Sequence, residues 1–231
     1  MRKLISLFIP PIFRRFKASF YRTIYNKGGF GLDGLDIEVL QQIKPGTGGF
    51  FVELGANDGI RQSNSYLLQK KFLWGGVLIE PNPARFEECV DNRATSENVR
   101  IYCAACVPFA FDQEFVKMCN SDLMSVALGL DLSPSDSNSH VKVGSQFLKH
   151  PSLSYTFFAN ARTLTDILID AAAPSNIDFL SLDVEGNELA VLKGLDFGRY
   201  SPQWILVESR EKSISDYLVS NNYELFHVFE K

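Results

Sequence analysis

Four acids stand where short apolar runs end: Glu53 after Phe50-Phe51-Val52, Glu80 after Val77-Leu78-Ile79, Asp183 after Phe179-Leu180-Ser181-Leu182, and Glu208 after Ile205-Leu206-Val207. Runs of this kind, bounded by glycine or proline, are the pattern of strands buried on both faces of a parallel sheet. Open parallel sheets bind ligands beyond the carboxyl ends of their strands. A single acid at a strand end is usually a cap or a solvated side chain. Four on one edge of one sheet make a place where binding and proton transfer can occur. Glu80 offers two acceptor oxygens, which suit the two donors of a ribose diol. Glu53 lies beneath the glycine turn and can hold either turn N–H groups or a ligand ammonium. Asp183 and Glu185 open the segment Asp183-Val184-Glu185-Gly186-Asn187, where they serve either a helix dipole or a reacting hydroxyl. A sugar or alcohol hydroxyl is a weak nucleophile, so a carboxylate or a metal must help remove its proton.

These acids need a scaffold, and the chain supplies its signals in order. Gly55-Ala56-Asn57-Asp58-Gly59 is a tight turn between the first strand and a helix predicted over 61–71. Such a turn lets a ligand approach the backbone near the helix start, although a strand-to-helix turn with no ligand reads the same way. Strands are predicted at 77–80, 99–106, 177–183, 204–208 and 223–229. Helices are predicted at 37–43, 84–92, 164–172, 187–195 and 214–220. The alternation gives an α/β fold: a Rossmann-like, doubly wound, mostly parallel sheet with helices on both faces. Residues 108–160 break it, with extended pieces at 111–118 and 154–159 around a polar loop at 132–139. A long polar insertion in a compact α/β domain reads as a substrate wall or lid.

The remaining groups are poor sites. Cys103 and Cys106 have C-x-x-C spacing without a second pair, and His140, His150 and His227 form no spaced cluster. Neither a nucleophile elbow nor a phosphate loop is present. A G-x-G-x-x-G dinucleotide turn is also missing, which counts against an oxidoreductase on the same sheet edge.

The 231 residues suit one full domain. Four cysteines in a chain this long suggest no disulfide framework, which predicts a reducing, cytoplasmic setting. No apolar run reaches 18 residues, the length a spanning helix needs. The net charge of −4 hides an asymmetry: residues 1–32 carry seven basic residues and no acid, so the rest is strongly acidic. Nucleic acid is therefore a poor partner. We divide the chain into a basic amphipathic leader and linker, 1–34, and a domain, 35–231. The leader, expected to be helical after Pro11, suits peripheral contact of 1–27 with an anionic membrane surface, or packing of its aromatic face on the domain.

Three motifs carry a resemblance. Phe51 to Gly59 (FVELGANDG), Ile79 to Pro83 (IEPNP) and Ile177 to Glu188 (IDFLSLDVEGNE), in this order, resemble the FkbM family of S-adenosylmethionine-dependent methyltransferases. The resemblance implies transfer of a methyl group from S-adenosyl-L-methionine to oxygen, often a hydroxyl of a sugar, glycan or related small molecule. By motif position, Glu53, Gly55, Asn57 and Gly59 would line the methionine part, with polar contacts added by Ser63 and Asn64. Glu80, followed by Pro81 and Asn82, would take the ribose, and Ala104, within the Cys103–Cys106 segment, would flank adenine. Asp183 and Glu185 would face the acceptor as catalytic residues. No metal ligand is assigned. A sheet of this type normally closes with an antiparallel hairpin, whereas the chain stops at Lys231 just after its sixth predicted strand. The expectation is either a missing C-terminal strand or a strand assignment shifted by one, with an inactive, truncated binding domain as the rival reading.

Overall fold

The computed structural model describes residues 4–9, 29–94, 97–120, 126–127, 155–208 and 212–230. Strands are β1 (Leu4–Ile9), β2 (Phe50–Leu54), β3 (Gly75–Ile79), β4 (Val99–Tyr102), β5 (Ala105–Cys106), β6 (Phe115–Asn120), β7 (Val126–Ala127), β8 (Tyr155–Arg162), β9 (Asn176–Leu182), β10 (Ser201–Glu208) and β11 (Glu224–Glu230). Helices are α1 (Leu35–Ile43), α2 (Tyr66–Phe72), α3 (Pro83–Arg93), α4 (Leu164–Asp170), α5 (Glu188–Leu192) and α6 (Lys212–Ser220).

The large sheet has seven strands in the order β11-β1-β10-β9-β2-β3-β4. Every pair from β10 to β4 is parallel. Their side chains divide between two cores, as alternation along a strand requires. Val52, Leu54, Val77, Ile79, Leu180, Leu182, Ile205 and Val207 share one core with Leu164, Ile167 and Leu168 of α4 and Leu218 of α6. Phe51, Leu78, Phe179 and Leu206 share the other with Leu35, Val39 and Leu40 of α1, Leu67 and Leu68 of α2 and Cys89 of α3. The result is an α/β architecture with a mostly parallel sheet and apolar layers on both faces. Local signals agree with it. Asn82 caps α3, its side chain accepting from the Ala84 N–H, with Pro83 in the first turn. Thr163 caps α4 and bonds Asp166 reciprocally.

The edges hold the corrections. Leu4–Ile9, assigned by sequence to the leader, is a strand inside the sheet, antiparallel to both β10 and β11. The antiparallel strand missed at the C-terminus is therefore supplied by the N-terminal segment. The boundary at residue 34 does not separate this strand from the domain. Leu7 and Phe8 explain why: both are fully buried, one in each core. The helix expected after Pro11 and the polar loop at 132–139 lie outside the described residues. The predicted third strand divides at Cys103, and its second part, β5, joins a separate four-stranded sheet in the order β5-β8-β6-β7. That sheet contains the described part of the insertion. It has its own small core of Ala105, Val107, Val116, Met118 and Ala159.

Truncating a fully buried phenylalanine costs about 3–5 kcal/mol. Phe8→Ala is thus expected to lower unfolding free energy by that amount in chemical denaturation. A change below about 1 kcal/mol, the size of an ordinary surface substitution, would mean that β1 is not part of the folded sheet.

Candidate active site

The carboxyl ends of β2, β3 and β9 open into a cleft, and Ala104, Ala105, Cys106 and Met118 form its far wall. The first loop behind it runs from Gly55 to Ser65, because α2 starts only at Tyr66. The helix predicted from residue 61 is thus replaced at its start by a loop that passes repeatedly through left-handed conformations, at Gly55, Asn57, Gly59 and Gln62. No helix start lies under the turn, so its N–H groups are satisfied otherwise. Gly55 and Ala56 N–H donate to the Ile79 carbonyl, and Asn57 N–H donates to Glu80.

The two turn glycines have packing reasons. A Cβ on Gly55 would sit 1.9 Å from the Asp183 carbonyl oxygen, so this glycine allows the exits of the neighbouring strands β2 and β9 to approach closely. A Cβ on Gly59 would strike the Arg93 side chain at 2.6 Å. Both also have positive φ. On the side a Cβ would take, both glycines are packed against the protein itself.

Glu53 and Arg93 hold the loop together from beneath. Glu53 accepts from Ser63 Oγ (2.8 Å), Ser65 Oγ (2.5 Å) and the Asn64 N–H (2.6 Å). Arg93, fully buried, lies 3.8 Å from the same carboxylate. It donates to the Gly59 carbonyl (2.7 Å), Ser63 Oγ (3.2 Å), Ser65 Oγ (3.0 Å) and Gln69 Oε1. Its guanidinium carbon stands 5.4 Å from the ring centroids of both Phe51 and Tyr66.

Glu80 closes the turn from the side. One oxygen accepts from Asn57 N–H (2.8 Å) and the other from Asn82 N–H (2.9 Å). Burial pushes its carboxyl up to about 7, against the pull of those two N–H groups and of Arg85. On the opposite wall, Glu185 (φ 54) and Gly186 (φ 97) turn the chain after β9. Glu188 pins this loop by accepting from the N–H groups of Val184 (3.2 Å) and Gly186 (3.1 Å). Burial raises the Glu188 carboxyl to about 7, with the charges of Asp183 and Glu208 adding to the effect. Oxygens of Asp183, Glu185 and Glu208 lie within 4.8 Å of one another.

A sequence model described as the Methyltransferase FkbM domain matches residues 53–224. The chain belongs to the FkbM methyltransferase family. No curated protein matches it. Among solved structures it is similar to the methyltransferase FkbM from Methylobacillus flagellatus KT, at 14% identity and a TM-score of 0.35, covering 64% of this chain and 28% of that one. The chain thus spans under a third of that relative, and a likeness this distant carries no structural argument.

Within this FkbM domain, the cleft is lined by Glu53, Gly55, Asn57, Asn64, Glu80, Pro81, Ala104, Asp183 and Glu185, all singled out from sequence. Gly59, Ser63 and Asn82 are not on its wall. Gly59 packs on α3, Ser63 is bonded to Glu53, and Asn82 caps α3. Sequence reading did not assign Arg61, Arg85, Met118, Ser181 or Asn187 to the site, although all line it. Ser181 was detectable, as the lone hydroxyl in the apolar run Phe179–Leu182. Met118 was not, because it reaches the cleft from the insertion. Arg93 also escaped notice, since a lone arginine on a helix reads as solvated until its neighbours are known.

Removing one partner of a buried ion pair typically costs about 3–5 kcal/mol. Arg93→Met is expected to destabilise the fold by that much in chemical denaturation, and pairing it with Glu53→Gln should recover part of the loss. Strictly additive losses in this double-mutant cycle would show that the two side chains do not act together.

Proposed function

We propose that the cleft binds S-adenosyl-L-methionine and that the protein methylates a hydroxyl of a sugar, glycan or related small acceptor. The observation that carries this reading is Glu80: a buried carboxylate at the end of β3, fixed by two backbone N–H groups, on the wall of a cleft at the carboxyl edge of a parallel sheet. Each oxygen has already taken one N–H, and a carboxylate has about four lone-pair positions. Two acceptors therefore remain for the vicinal hydroxyls of a ribose. In a Rossmann-like doubly wound sheet this is the position for that contact.

The cofactor supplies a methyl group activated on a sulfonium. The residues of this chain do the rest. The unpaired amide oxygen of Asn57, on the cleft wall, is suited to the methionine ammonium. Ala104 and Pro81 give apolar walls for adenine. Asp183 and Glu185 face the acceptor from the β9 side. With the cofactor bound, these residues would hold the acceptor oxygen in line with the methyl group, and Asp183 would take the proton that this oxygen gives up. Most of the acceleration comes from holding these atoms in line. Met118 brings the insertion to the cleft, which supports its role as a substrate wall. Leu7 and Phe8 are used in the core, so we place peripheral contact with an anionic membrane on the basic segment from 10 to 27, with the protein in the cytoplasm.

Two measurements test the reading. Isothermal titration should show micromolar binding of S-adenosyl-L-methionine and of its demethylated product but not of NAD, with affinity lowered at least about tenfold in Glu80→Gln. Because Glu80 must be ionised to accept both hydroxyls and its carboxyl titrates at about 7, wild-type affinity should rise about tenfold per pH unit below that value and level off above it. A flat pH profile with unchanged affinity in Glu80→Gln would remove Glu80 from the site. Asp183→Asn should bind cofactor normally and lose turnover with a glycan acceptor. Retained turnover would end its role in proton removal.

A further inference from the structure

We propose that Asp183, Glu185 and Glu208 form a binding site for a hard divalent cation such as Mg²⁺ or Mn²⁺ at the acceptor end of the cleft. Three separate backbone positions contribute: the exit of β9, the left-handed turn after it, and the last residue of β10. One oxygen from each comes within 4.8 Å of the others. Glu185 and Glu208 are buried, at 7% and 3% exposure. Closely spaced carboxylate oxygens are the ligand type that hard cations select.

Two buried amides that share recess walls with these acids point independently to a ligand. Asn187 is 3% exposed, and neither its side-chain oxygen nor its side-chain nitrogen has a hydrogen-bond partner. It lines the same cleft as Asp183 and Glu185. Asn64 is 7% exposed and donates from Nδ2 to Ser181 Oγ at 3.1 Å, which leaves its Oδ1 unpartnered. It lines a narrower recess together with Asp183 and Glu208. Buried amides without partners cost free energy. Their oxygens lie on the walls that also carry Asp183, and an amide oxygen is a hard donor of the same kind as a carboxylate.

Mg²⁺ takes six oxygen ligands, so a cation held by three carboxylates retains positions for the oxygen of an acceptor. Coordination of a hydroxyl lowers its pKa. Asp183 gives one oxygen to the cation and keeps the other to take the proton of the coordinated hydroxyl, and Glu208 becomes necessary for turnover although it lies outside the main cleft. This consequence for turnover rests on the methyl-transfer reading; the cation site itself does not.

The test is titration of the chelator-treated full chain with MnCl2, without cofactor, followed by calorimetry and by the electron paramagnetic resonance signal of free Mn²⁺. One saturable site per chain is expected. Glu208→Gln and Glu185→Gln should each weaken it at least about tenfold, while Glu88→Gln, on the exposed face of α3, should leave it unchanged. If either site variant fails to fold by circular dichroism, the other gives the same reading. Absence of saturable Mn²⁺ binding, or equal affinity in the wild type and a folded site variant, would overturn the proposal. Cofactor titration through Glu80 is read separately, so loss of the cation site and loss of the methyl-transfer reading give different results.

Discussion

The site depends on one buried ion pair. A carboxylate at Glu53 and a guanidinium at Arg93 would each be costly to bury alone, and burying them together is tolerable only with their other hydrogen bonds satisfied. They are satisfied by the loop between Gly59 and Ser65: its carbonyl, hydroxyls and N–H groups converge on the pair. The loop is thereby fixed without being helical. With the turn before it, the loop presents Asn57, Arg61, Gln62 and Asn64 to the cleft from a backbone that repeatedly takes left-handed conformations. The aromatic rings of Phe51 and Tyr66 beside the guanidinium add cation–π contact and exclude water. The ordering of the cleft's first wall is thus coupled to the core beneath it.

The second wall follows the same principle with different groups. Glu80 ties β3 to the first turn through two N–H groups, and Glu188 ties the loop after β9 through two more. Burial raises both carboxyls to about 7. Their native state binds protons more tightly than the unfolded chain. Their contribution to stability is therefore fully present at acidic pH and is lost as pH rises from about 4.5 toward 7. Ligands that donate hydrogen bonds to ionised Glu80 offset that loss. The acids at this edge are poised for ligands at some expense to the empty fold, as functional sites often are.

At the far edge of the sheet an N-terminal segment is built into the architecture. The strand in the slot between β10 and β11 comes from the N-terminus, pairs antiparallel on both sides, and places Leu7 and Phe8 in opposite cores. β10 consequently has a partner on both sides. Its last residue, Glu208, is held buried beside Asp183 and Glu185. The N-terminal strand thus supports the β9–β10 end of the site from a distance.

Much of this was present in local sequence. Apolar runs ending in acids specify buried parallel strands with carboxylates at one edge, because strand burial and strand direction are set by short-range pattern. The caps at Asn82 and Thr163 and the positions of Glu80 and Asp183 follow from the same local rules. Only the tertiary structure decided what non-local contacts decide. A basic, amphipathic leader looks alike whether it rides a membrane or contributes a strand, since the difference lies in whether β10 and β11 leave a slot open. Arg93 acquires its role from Glu53, forty residues away in sequence, and Gly55 owes its need for a missing side chain to the Asp183 carbonyl. Glu208 joins Asp183 and Glu185 because β9 and β10 are neighbours in the sheet. Residue types and periodicity determine which elements form; the sheet order determines which of their ends meet.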